Sequence, residues 1–92
     1  MIGQDSCINI SGKAAYRVID NEAMVVAPGS NKLYVFNRVG TRIWEMANGK
    51  TGIGEIATAI CEEFNVTYEQ ALKDAIEFAE EISRKGLLEV KS

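Results

Sequence analysis

A chain of 92 residues, 47% hydrophobic and 25% charged, has the size and composition of one globular domain, since a second core would bury too little surface to offset its ordering entropy. Its net charge of -3 is unevenly spread, with six Lys/Arg against four Asp/Glu over residues 1–50 and four against nine over residues 51–92, which argues against a nucleic-acid partner held through phosphates. Histidine is absent, and Cys7 and Cys61 are too few and too far apart for a disulfide framework or a metal site, so neither catalysis nor a cofactor is expected.

Met1 to Gly12 shows no sustained periodicity and ends in Ser11-Gly12, which predicts a flexible N-terminal arm over residues 1–12 and a single domain over residues 13–92. The arm lacks the basic start and apolar stretch of a secretory signal. The longest apolar runs, such as Ala23 to Ala27, fall far short of the roughly 20 residues of a membrane span. A cytoplasmic protein without a membrane partner is expected. Ala14 to Ile19 and Glu22 to Ala27 are β-branched, apolar runs separated by Asp20-Asn21, two residues that tolerate the positive φ of a tight hairpin turn. Pro28-Gly29-Ser30-Asn31 marks another reversal before a third strand, Lys32 to Phe36.

Asn37 is a favoured N-cap for a helix over Arg38 to Ala47, with Val39, Ile43 and Met46 on one face and Trp44 beside them, ending at Asn48-Gly49. Ile53, Ile56, Ala57, Ile60 and Phe64 follow the spacing of a second helix, with Glu55 three residues after a Gly52 cap. Thr67-Tyr68-Glu69-Gln70 has the form of a capping box and opens a long helix that runs to Lys85 and stops at Gly86, after which Leu87 to Val90 is a candidate short strand. The order predicts an α+β fold: a three-stranded antiparallel β-meander followed by three helices, in a winged helix-turn-helix-like outline.

Two features stand out from this frame. A simple meander leaves Lys32 to Phe36 at a sheet edge, and its side chains are apolar on both faces, Leu33 and Val35 on one, Tyr34 and Phe36 on the other. Such a strand is either covered on both faces by helices or an aromatic edge open to a peptide strand. The long helix carries two apolar lines, Ala71/Ala75/Phe78/Ile82 and Leu72/Ile76/Ala79, so it either lies deep between sheet and helices or has one line spare for a ligand. A winged-helix DNA-binding regulator is the alternative, weakened by the five Asp/Glu against three Lys/Arg over residues 68–85.

The set Leu33-Tyr34-Val35-Phe36-Asn37, Gly40, Ile43-Trp44-Glu45, Asn48-Gly49, Glu55-Ile56, Asp74, Phe78, Ile82 and Gly86-Leu87 resembles the PqqD-like family. Gly52 stands where that family often has Ser or Thr, and Phe36 where Leu is usual. The resemblance implies a non-catalytic peptide chaperone, a recognition element for ribosomally made precursor peptides. The leader peptide would add as a strand to Lys32, Leu33, Tyr34, Val35 and Phe36 and pack against Leu72, Ile76 and Ala79. A radical SAM maturase is the implied second partner, in pyrroloquinoline quinone or related peptide-product biosynthesis, and no catalytic, cofactor or metal residues are implied.

Overall fold

The computed structural model describes residues 2–27 and 29–91. Along the chain run β1 (Cys7–Ile10), β2 (Ala15–Ile19), β3 (Glu22–Val26), β4 (Leu33–Val35), α1 (Arg38–Glu45), β5 (Asn48–Gly52), α2 (Ile53–Phe64), α3 (Tyr68–Arg84) and β6 (Leu88–Lys91). The class is α+β, with antiparallel pairing throughout the described strands.

The meander forms from local signals. Asp20 and Asn21 both adopt positive φ, 52° and 64°, as a two-residue hairpin turn requires, and Ile19 pairs with Glu22 across it. β4 then pairs with β3, Met24 opposite Val35 and Val26 opposite Leu33, giving the order β2-β3-β4.

A second sheet, ordered β5-β1-β6, corrects the expectation of a flexible arm. β1 is its central strand, paired from Cys7↔Lys91 to Ile10↔Leu88 on one side and with β5 on the other, and Ile8 is fully buried. Four residues are too few to display a period, and the partners that hold them lie some forty and eighty positions along the chain. Asn48-Gly49 likewise does not cap α1, which closes at Met46. Asn48 Oδ1 instead accepts from the N–H groups of Lys50 and Thr51 at 2.8 and 2.9 Å, turning the chain into β5.

The helix caps follow the sequence closely. Asn37 Oδ1 accepts from Gly40 N–H at 2.8 Å, and Thr67 Oγ1 accepts from Gln70 N–H at 3.1 Å. Gln70 does not complete the capping box: its Nε2 donates to Asp74 Oδ1 at 2.8 Å. The N–H of Gly52 donates to Glu55 Oε1 at 3.1 Å, and α3 ends at a left-handed Gly86, φ 78°. Ala71, Ala75 and Ala79 form a fully buried row along α3 whose small side chains let α2 and the sheets approach, and Ile43, Trp44, Ile53, Ile56, Ile60 and Leu87 fill the space around them.

Candidate functional site

β4 has one bonded side and one open side. Phe36 N–H donates to Ala23 O at 2.9 Å, and Ala27 N–H donates to Lys32 O at 3.4 Å. Backbone direction alternates along a strand, so the even residues 32, 34 and 36 bond toward β3 while Leu33 and Val35 direct N–H and C=O outward. Beyond that open row no described strand is paired.

The alternation of side chains is orthogonal to this. Phe36 is buried and Tyr34 half-buried on the core side, whereas Leu33 and Val35 are 57% and 55% exposed on the outer side. Beneath β4 an aromatic row runs from Tyr16 to Trp44 (centroids 5.3 Å apart), from Trp44 to Phe36 (5.5 Å) and from Phe36 to Phe78 of α3 (5.0 Å, edge to face). Trp44 is fully buried, and its Nε1–H meets no acceptor among the described residues. Thr41, also buried, fastens α1 to the meander: its hydroxyl accepts from Ala23 N–H at 2.8 Å and donates to Phe36 O at 3.3 Å, filling the place of a second ladder bond between those residues.

Between β4 and the C-terminal half of α3 lies an open groove of about 270 Å³, with Tyr34, Val35 and Phe36 on one wall and Phe78, Glu81, Ile82 and Lys85 on the other. Gly40 of α1 stands at its end. A Cβ there would come within 3.1 Å of Phe78 Cε2 and 3.3 Å of Phe36 Cβ, so a bare glycine is what lets the Phe78 ring settle against α1. At the opposite end Lys85 Nζ lies 5.4 Å above the Tyr34 ring and 4.0 Å from Glu81 Oε1. The groove thus has an aromatic floor and a mixed-charge rim, and its long wall is an unpaired strand. It offers shape and a row of open backbone hydrogen-bonding groups.

The structure brings Tyr34, Val35 and Phe36 to the groove, puts Leu33 beside it on the outer face, and leaves Lys32 exposed just before β4. Leu72, Ile76 and Ala79 do not line it. Ala79 is fully buried in the core, and Leu72 and Ile76 are half-buried against the core on other sides of α3. At about 100° per residue Ile76 sits roughly 160° around the helix from Phe78, and Leu72 roughly 120°. The α3 residues that do line it, Phe78, Glu81, Ile82 and Lys85, follow i, i+3, i+4, i+7 spacing, a signal masked because two of the four are charged.

The family model described as coenzyme PQQ synthesis protein D (PqqD) matches residues 22–88. The chain belongs to the PqqD family. That match covers the meander from β3 onward, all three helices and the start of β6, so every groove residue falls within the family's span. Among solved structures, TbiB1 in complex with the TbiA(beta) leader peptide is 28% identical, with a TM-score of 0.79 over 88% of this chain and 94% of that one. The PqqD portion of Methylobacterium extorquens PqqCD, a recognition element for ribosomally synthesised and post-translationally modified peptides, shares the fold: TM-score 0.79 over 97% and 95% of the two chains at 12% identity. No curated protein matches the chain. Among the described residues of this PqqD-family member, no helix is long and apolar enough to cross a membrane.

Proposed function

We propose that the protein binds the leader of a ribosomally made precursor peptide as an additional strand on β4, without catalysing any reaction itself, and presents it to a maturation enzyme. The observation that carries this reading is the open backbone row at Leu33 and Val35 running beside the Phe78 groove, within a PqqD-family chain. TbiB1, 28% identical, is seen with a leader peptide. Backbone bonds to β4 set the register of such a leader, and alternate side chains entering the groove select it. A docked segment of a few residues buries a small area, so affinity in the micromolar range, about -8 kcal/mol, suits a carrier that must release its cargo. Tethering the precursor near the enzyme raises its effective concentration there with no chemistry by this domain. Within the family resemblance, that enzyme is a radical SAM maturase and the pathway makes pyrroloquinoline quinone or a related peptide product.

The winged-helix regulator has less support. α3 and its C-cap present Glu69, Glu77, Glu80 and Glu81 at exposed positions against Lys73, Arg84 and Lys85, a poor match to a phosphate-lined groove.

The test is an amide-resolved titration with the N-terminal segment of a short precursor encoded beside this gene. Amides of Leu33 to Phe36 and Phe78 to Lys85 are expected to shift more than those of Ile53 to Phe64. Phe78→Ala should weaken binding by about tenfold, ~1.4 kcal/mol, through loss of aromatic contact, while Ile76→Ser in a folded chain leaves it unchanged. Shifts centred on α2, or equal losses from both variants, would remove the groove from consideration.

A further inference from the structure

The edge of β4 differs from the edges that soluble proteins usually leave open. Exposed edge strands are normally guarded by lysines, prolines, bulges or inward charges that discourage a further strand. Here the two residues with outward N–H and C=O groups are Leu33 and Val35, whose side chains are more than half exposed, and the exposed Lys32 stands just before the strand rather than within it. Their cross-strand neighbours on the same face are Val26, 38% exposed, and the half-buried Met24, so an aliphatic strip continues inward from the edge across β3. Leu33, Val35 and Val26 of this strip are exposed on the outer face of the sheet, Val35 also borders the groove, and Ala15 and Arg17 of β2 stand beyond it, opposite Val26 and Met24.

A strand that pairs with β4 occupies both sides of the sheet. Residues directly opposite each other in a ladder project to the same face with Cβ atoms about 4.5–5.5 Å apart. A docked segment therefore sets alternate side chains beside Leu33 and Val35, and only the intervening ones enter the groove beside Tyr34 and Phe36. We infer that the docking segment of the cognate peptide is apolar on both faces, with aliphatic or aromatic side chains laid against Leu33 and Val35 in addition to those seated in the groove. This rests on the strand-addition reading above and extends it to the ligand's sequence: a run of consecutive apolar residues, not an alternating one. The occupant is the peptide itself because the open backbone groups and the exposed side chains belong to the same two residues, so whatever takes up the former covers the latter.

The experiment is selection from an mRNA-displayed library of short random peptides on the immobilised full chain, followed by amide mapping of the enriched sequences. Enriched peptides should be apolar at both alternating sets of positions. The double variant Leu33→Thr/Val35→Thr, which keeps strand propensity at exposed sites, should bind them about tenfold more weakly and select peptides that lose the apolar preference in one alternating set only. Replacing the outer apolar residues of an enriched peptide by Ser should cause a similar loss on the unaltered protein. An apolar preference confined to one set, or a double variant that binds unchanged while Phe78→Ala does not, overturns the inference and leaves strand addition standing. Enriched peptides that shift no amide of Leu33 to Phe36 would overturn both.

Discussion

The two sheets differ in how their strands find one another. In β2-β3-β4 each strand pairs with the next one in the chain, through turns a few residues long. In β5-β1-β6 the central strand comes from the N-terminal end and its partners from the middle and the C-terminal end. The second sheet ties distant parts of the chain together and has both sides of β1 occupied. The first is held by local hairpins and by Thr41, so β4 needs only one bonded side to stay in place. One sheet closes the fold, and this leaves the other free to offer an edge.

The contrast can be broken most forcefully at Ile8. Ile8→Ala should destabilise the protein by about 2–5 kcal/mol, the range for truncating a fully buried aliphatic side chain, measured by denaturant unfolding. A loss within the scatter of surface substitutions, about 0.5 kcal/mol, would return β1 to the status of a loose arm. Thr41→Val keeps the shape but strands Ala23 N–H and Phe36 O in the core. A loss of about 1–3 kcal/mol is expected by the same measurement. The sharpest comparison is between adjacent prolines on β4. Val35→Pro deletes an outward donor and should weaken leader binding by about tenfold, ~1.4 kcal/mol, with little change in unfolding midpoint. Tyr34→Pro deletes a donor aimed at β3 and should lower the midpoint itself. Equal stability losses from the two would mean that the bonding parity of β4 is reversed.

Much of this was legible in the sequence. Asp20-Asn21, Asn37, Thr67 and Gly86 each impose local geometry through their own backbone or side-chain chemistry, so the hairpin, the starts of α1 and α3 and the end of α3 appear where they are expected. β5 could not be found that way. Asn-Gly-Lys-Thr-Gly is composed mostly of residues that avoid strands, and only pairing with β1 makes it one. For the strand half of the candidate site, the edge position followed from the meander, since the last strand of a simple meander is an edge. The helix half did not. Hydropathy showed two apolar lines without choosing between them and the resemblance implied Leu72/Ile76/Ala79, but the groove is lined by a turn-spaced set in which Glu81 and Lys85 stand beside Phe78 and Ile82.

The aromatic row beneath β4 has a practical consequence. Trp44 is the single tryptophan of the chain, wholly shielded from water, with no acceptor among the described residues for its indole N–H. An indole so placed emits at the blue end of its range, and its nearest ring neighbour on the groove side, Phe36, is itself part of the groove wall. Any occupant that moves Phe36 changes the surroundings of the chromophore one ring away. Where a peptide lacking tryptophan displaces Phe36, its arrival is read as a change in ultraviolet emission, with Trp44 as an unlabelled optical gauge.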